Sequence, residues 1–142
     1  MSPTMVLGYD GSESANAALQ EIIVRAKQRG ANVVVVFGFN INLLGGVEKG
    51  SIRDALEQVG SSALESAVTA LEAADVDVSW RLVEAKPADA LIQVAEEVGA
   101  DTIVVGTVGE NPISGALLGS VVLRLVQRSR IPLLVVPATE EM

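Results

Sequence analysis

The chain has 142 residues, a length for one domain, and its net charge of −8 repels phosphate backbones and argues against nucleic acid as a partner. It contains no cysteine and no histidine, which excludes disulfides and thiolate chemistry and removes the commonest general base and metal ligand. Hydrophobic residues make up 49% but aromatics only 3%, so the core must be aliphatic, as in a parallel sheet covered on both faces.

The N-terminal MSPTMVLGYD has no basic segment before its short apolar run, and no stretch is long enough to span a bilayer, so a cytoplasmic chain is expected, with no membrane partner. Thr4 to Tyr9 forms a short apolar strand that stops at the turn Asp10-Gly11-Ser12. Ser12 or Ser14 can cap the following helix, in which Ala15, Ala18, Leu19, Ile22, Ile23 and Ala26 recur at helical spacing and which Gly30 ends. Asn32 to Phe39 is continuous and β-branched, a central strand buried on both faces. Residues 40–50 lack a period and carry three glycines, which marks a loop. Ser51 with Asp54 predicts a capping box at the head of a helix that runs to about Ala74. Val76 to Val83 alternates like a strand nearer an edge. Pro87 opens a third helix as its first residue, and Gly99 closes it. Asp101 to Gly106 is a fourth strand. After a glycine-rich stretch comes a helix with Val121, Val122, Leu125 and Val126 apolar and Arg124, Gln127 and Arg128 polar. Ile131 to Pro137 is the fifth strand. Five strands alternating with four helices predict an α/β fold, a doubly wound five-stranded parallel sheet in a single domain over residues 1–142.

In such sheets ligands bind beyond the carboxyl ends of the strands, where the winding reverses. Three segments fall there: Gly8, Tyr9 and Asp10 with the turn after them; Gly38 at the end of the second strand; and the stretch from Val105 and Gly106 to Ser120. If the first and fourth strands are neighbours, all three converge on one cleft; local sequence leaves that adjacency open. The last segment reads G-x2-G-x9-G-S, with Gly106, Gly109, Gly119 and Ser120. Glycines there let the main chain approach a sugar or phosphate, and free N–H groups at a helix start favour an anion. The P-loop pattern is absent, and no G-x-G-x-x-G follows the first strand. Each feature also has a purely local account. The glycines can be turn chemistry, Asp10 can satisfy turn amides, Arg124 and Arg128 can be a solvated face, and Lys49 and Arg53 can be surface groups that also reach toward phosphates. Trp80 reads as edge packing.

VLGYDGSESANAAL at the start, GTVGENPISGALLGSVV after the fourth strand and IPLLVVP at the end together resemble the universal stress protein family, over essentially the whole chain. The G-x2-G-x9-G-[ST] signature resembles that family's ATP-binding branch. The resemblance implies strand order 3-2-1-4-5 and a homodimer through residues 131–136. It implies ATP, with ADP or AMP as alternatives, between the ends of the first and fourth strands, with Mg2+ held only through the phosphates. By the same resemblance Asp10 contacts the nucleoside and the main chain at Gly38 meets adenine, with Gly8, Tyr9 and Val105 among the cofactor-binding residues. Gly106 and Gly109 line the ribose and phosphates, and Gly119, Ser120, Val121 and Val122 hold the phosphates. The chain departs from the family at Gly8 and Tyr9, where small or aliphatic residues are usual. It departs again at Val108, where His or Arg is common, and at Val122, where many binders carry a hydroxyl. No catalytic residue is expected, and the implied role is a nucleotide-sensing regulatory module with an unidentified downstream protein. A slow ATPase and a nucleotide-free interaction protein are the alternatives; the adenylating S-G-G-x-D-S loop is absent, its place reading YDGSES.

Overall fold

Valine-rich strands buried on both faces define the centre of the molecule. The computed structural model describes residues 2–40, 49–107 and 119–138. In chain order the elements are β1 (Thr4–Gly8), α1 (Glu13–Arg29), β2 (Asn32–Phe39), α2 (Lys49–Ala73), β3 (Val78–Glu84), α3 (Pro87–Val98), β4 (Thr102–Gly106), α4 (Ser120–Arg128) and β5 (Leu133–Val136). The strands form one sheet in the order β3-β2-β1-β4-β5, all neighbours parallel. The chain winds outward from β1 through β2 to β3, then returns to the other side of β1 as β4. The reversal therefore lies between β1 and β4, where Met5 stands beside Thr102 and Leu7 beside Val104.

The two-residue period of the strands sorts the core into two layers. Met5, Leu7, Val33 and Val35 face α1 and α2, packing with Leu19, Ile22 and Leu71. Val6, Val34, Val36, Ile103 and Val105 face α3 and α4, packing with Leu91, Val94, Val122 and Leu125. Ser12 caps α1 by accepting the Ala15 N–H at 3.1 Å, and Pro87 is the first residue of α3. Gly30 and Gly99 end α1 and α3 in the left-handed conformation.

Three expectations differ from the structure. The helix after the long loop already runs from Lys49, so Ser51 lies inside it and the capping box with Asp54 does not form. Trp80 stands 56% exposed on β3, the sheet's edge, rather than packed. In α4 only Val122 and Leu125 are buried, while Val126 and Leu123 are exposed. The helix covers the β4–β5 end of the sheet, against α3 and β5, so the protein buries only a narrow stripe of it. No helix among the described residues is long and apolar enough to cross a membrane.

Candidate functional site

At the carboxyl edge of the sheet, the ends of β1, β2 and β4 and the starts of α1, α3 and α4 surround a cavity of about 130 Å³. Its adjacency condition is met by the β1–β4 pairing. Gly8, Tyr9, Asp10, Gly38, Val105, Gly106, Gly119, Val121 and Val122, all expected at the site, line it. Ser120 is exposed and is not part of the wall. Gly109, with Val108 and Glu110, lies outside the described residues. Sequence reasoning missed Leu91 and Pro87 of α3, which close the far side, and Thr107, just past β4. Pro87 was recognised as a helix start, but only the fold shows that α3 begins beside Gly38.

The β1 turn is internally satisfied. Asp10 Oδ1 accepts the Ser12 N–H at 2.9 Å, and Ser12 Oγ accepts the Ala15 N–H. The Tyr9 N–H donates to the Val36 carbonyl at 3.1 Å, tying the ends of β1 and β2 together. Tyr9 is buried among the side chains that face α1, and its hydroxyl donates to Asn16 Oδ1 at 2.5 Å. That bond holds the ring as a fixed part of the wall. Asn16 carried no recognisable signal in the sequence; only its place early in α1 brings it under Tyr9.

Three of the glycines have a packing reason for lacking a side chain. A Cβ at Gly8 would come within 2.9 Å of Leu91 Cδ1. At Gly38 it would meet Ala90 Cβ at 2.8 Å and Pro87 Cα at 2.9 Å. At Gly106 it would fall 2.5 Å from the Ser14 carbonyl oxygen. The two neighbours at Gly38 and Gly106 include backbone, which cannot swing aside. These glycines let α3 and α1 sit down on the strand ends, and so bring helix N-termini close to the cavity.

The glycine stretch between β4 and α4 has its two ends joined, because the Gly119 N–H donates to the Thr107 carbonyl at 2.7 Å. The Gly119 amide is thereby committed to the turn. Gly119 is the N-cap of α4 and supplies no side-chain acceptor. A helix leaves the N–H groups of its first turn without partners inside the helix, and its dipole makes that end positive. Of the three helix starts around the cavity, α1 is capped by Ser12, α3 begins with a proline and lacks that N–H, and α4 begins on Gly119, which supplies no cap side chain. Ser120, Val121 and Val122 form the first turn of α4, the end where a helix presents N–H groups and the positive end of its dipole.

Two of the arginines expected as a solvated or phosphate-seeking set, Arg124 and Arg53, are paired with carboxylates. Arg124 donates to Asp89 through two bonds, Nε to Oδ1 at 3.0 Å and Nη2 to Oδ2 at 3.2 Å. The hydrogen bond from Arg124 holds the Asp89 carboxyl below its ordinary value, against the opposing effect of partial burial. Arg53 makes the same two-pronged contact with Glu84 at the end of β3, at 2.8 and 3.0 Å. A guanidinium fork matched to a carboxylate is not free to swing to a ligand without leaving that carboxylate unpaired.

A sheet of order 3-2-1-4-5 with helices on both faces and an apolar cavity at its reversal, beside the start of α4, defines a doubly wound α/β domain. The Universal stress protein family profile matches residues 1–137, and the chain belongs to that family. It is 31% identical over 136 residues to Universal stress protein MJ0531 of Methanocaldococcus jannaschii, covering 93% of this chain and 80% of that protein. Among solved structures, the fold matches that of hypothetical protein MJ0577 with a TM-score of 0.88 and 24% identity over 99% of each chain. It matches a universal stress protein in complex with cAMP with a TM-score of 0.75 and 31% identity, covering 96% of this chain and 98% of that one.

Proposed function

We propose that this chain is a nucleotide-binding regulatory module that holds ATP, with ADP or AMP as alternatives, and releases it unchanged. The observation that carries the reading is the open N-terminus of α4 at the mouth of a mostly apolar cavity, at the sheet's reversal point. A purine fits apolar walls, and phosphates fit the first-turn N–H groups of a helix whose N-cap is a glycine. The similar protein in complex with cAMP supports a ligand that combines adenine, ribose and phosphate. The cavity is below the roughly 300–1,000 Å³ of sites that enclose a whole small molecule, so it suits the base and ribose, with the phosphates outside over α4. Mg2+ would be held through those phosphates. The chain carries no histidine to activate water, and Asp10, the carboxylate that lines the cavity, already accepts the Ser12 N–H.

The same reading makes the protein a cytoplasmic homodimer. β5 is an edge strand whose four residues are all partly exposed, and Leu123 and Val126 lie exposed on the neighbouring α4. An apolar edge of this kind favours pairing with a second copy through residues 131–136.

The test is to denature the purified protein and identify the released small molecules by mass spectrometry. Calorimetric titration of stripped protein with ATP, ADP, AMP, cAMP and adenosine should follow. An adenine nucleotide bound one per chain is expected, with ATP recovered intact after incubation with Mg2+. Absence of any nucleotide binding would overturn the reading, and phosphate release within seconds would make the protein an enzyme.

A further inference from the structure

The α3 and α4 helices flank the cavity from one side, and their first turns supply parts of its wall: Pro87 and Leu91 from α3, Gly119, Val121 and Val122 from α4. What fixes one relative to the other is partly the apolar contact of Leu91, Val94, Val122 and Leu125. The other tie is polar. Asp89 stands in the first turn of α3, and Arg124 stands four residues after Ser120, one turn into α4. Their two parallel bonds, 3.0 and 3.2 Å long, join the two helices. Neither residue lines the cavity.

We infer that Asp89 and Arg124 are a positioning pair that sets where the first-turn N–H groups of α4 stand relative to the nucleoside end of the cavity. The inference rests on the nucleotide-binding reading above and names its specificity for phosphate. The planar guanidinium meets the carboxylate in one orientation, so the contact restrains both the distance and the rotation of α4 about its axis. A cap side chain could have held the helix start, but α4 has only Gly119. An anion bound at the start of a helix is sensitive to small displacements, because the donors lie within the first turn. Arg128 and Lys86 act on Asp89 beside Arg124, while Glu96 and Glu97 line the same groove further along α3, so removing Asp89 leaves a more positive surface at the helix start.

That last fact gives the test its sign. Asp89→Ala deletes a negative charge near the helix start. Acting through charge alone, it would tighten ATP binding. Acting through position, it weakens it. We expect Asp89→Ala to lose roughly three- to tenfold in ATP affinity, the range of a helix-terminus contact, with adenosine affinity unchanged. Arg124→Lys keeps the charge but loses the fork and should fall with Arg124→Gln rather than with the wild type. Amide hydrogen exchange of residues 123–128, whose N–H groups are bonded within α4, should rise in each variant without nucleotide present. Tighter ATP binding by Asp89→Ala, or equal losses for ATP and adenosine, would overturn the inference while leaving the nucleotide reading in place. A wild-type protein that binds no nucleotide would end both, whereas unchanged exchange at residues 123–128 would end the positioning role alone.

Discussion

Two strand-to-helix passages reach the same edge of the sheet and solve the same problem in opposite ways. From β1 to α1 the chain crosses in four residues. Asp10 takes the Ser12 N–H, Ser12 takes the Ala15 N–H, and Tyr9 is held by Val36 and Asn16. From β4 to α4 the ends of the passage are joined by one hydrogen bond between Gly119 and Thr107, and the helix begins with no cap side chain. The first passage ties its turn together with side-chain caps. The second starts its helix on a glycine that brings none. A passage that satisfies its own donors is scaffold; one that leaves donors open is where a ligand can add stability.

The strongest way to break that comparison is at Gly106, where both passages meet. A side chain there would overlap the Ser14 backbone of α1. Small-to-large changes in tight packing cost typically about 1–3 kcal/mol, and here the obstacle is main chain rather than a movable tip. Gly106→Val is expected at or beyond about 3 kcal/mol, measured by chemical denaturation. Gly8→Ala, whose neighbours are side-chain tips, should cost less. If Gly106→Val folds with wild-type stability and only ligand binding changes, the glycine serves the ligand and not the helix.

The second prediction closes the open passage. Gly119→Asp supplies a cap oxygen for the first-turn N–H groups of α4 and places a negative charge at its start. Stability should rise by a few tenths to about 1 kcal/mol, while ATP affinity falls at least about tenfold. A stable variant that binds ATP as well as the wild type would move the phosphates away from α4.

The mirror experiment is Ser12→Ala in the satisfied passage. Losing a serine cap costs typically about 1 kcal/mol. We expect that loss in denaturant midpoint with nucleotide affinity within about twofold of the wild type after correction for the folded fraction. A selective loss of affinity would mean the β1 passage contacts the ligand more than its own bonds indicate.

How these passages appear in the sequence is unequal too. The alternation of strands with helices, the Ser12 cap, the Pro87 start and the Gly30 and Gly99 stops were legible because each is local chemistry at fixed spacing. The strand order and the cavity walls Gly8, Gly38 and Gly106 came from the family resemblance and the general rule for open sheets, and the structure places them together. The reason for those glycines was not legible. It depends on which helix lies over each strand end, and only packing decides that. The same holds for Arg124 and Arg53. Their spacing fits a solvated face, yet their partners are 35 and 31 residues away in the chain. Ser51 failed in the other direction. Its capping pattern was present, but α2 begins two residues earlier, so propensity was overridden by tertiary context.

The smallest expected effect is the response to acid, and it too separates the two passages. Asp89, Asp101 and Glu84 are each held below their ordinary values chiefly by a hydrogen bond from an arginine: Arg124, Arg29 and Arg53. A carboxylate depressed in the folded state contributes stability that is fully present above its unfolded value and is lost as pH falls through its folded value. That places the loss below about pH 4, not near neutrality. For the partly exposed Asp89–Arg124 pair the contribution is about 1 kcal/mol or less, and salt reduces it. Since this pair fixes α4, acid below about pH 4 should raise amide exchange in residues 123–128 while the part-buried contact of the Tyr9 hydroxyl with Asn16 stays closed. Denaturation curves at pH 7, 4 and 3, with and without added salt, would measure the stability change, and exchange at each pH would locate it. Asp89→Ala should flatten part of the acid response and make α4 exchange insensitive to pH in this window. A wild-type protein whose α4 exchange does not change between pH 7 and pH 3 would show that the ion pair does not hold the helix, and the contrast between a self-satisfied and an open passage would then rest on the capping groups alone.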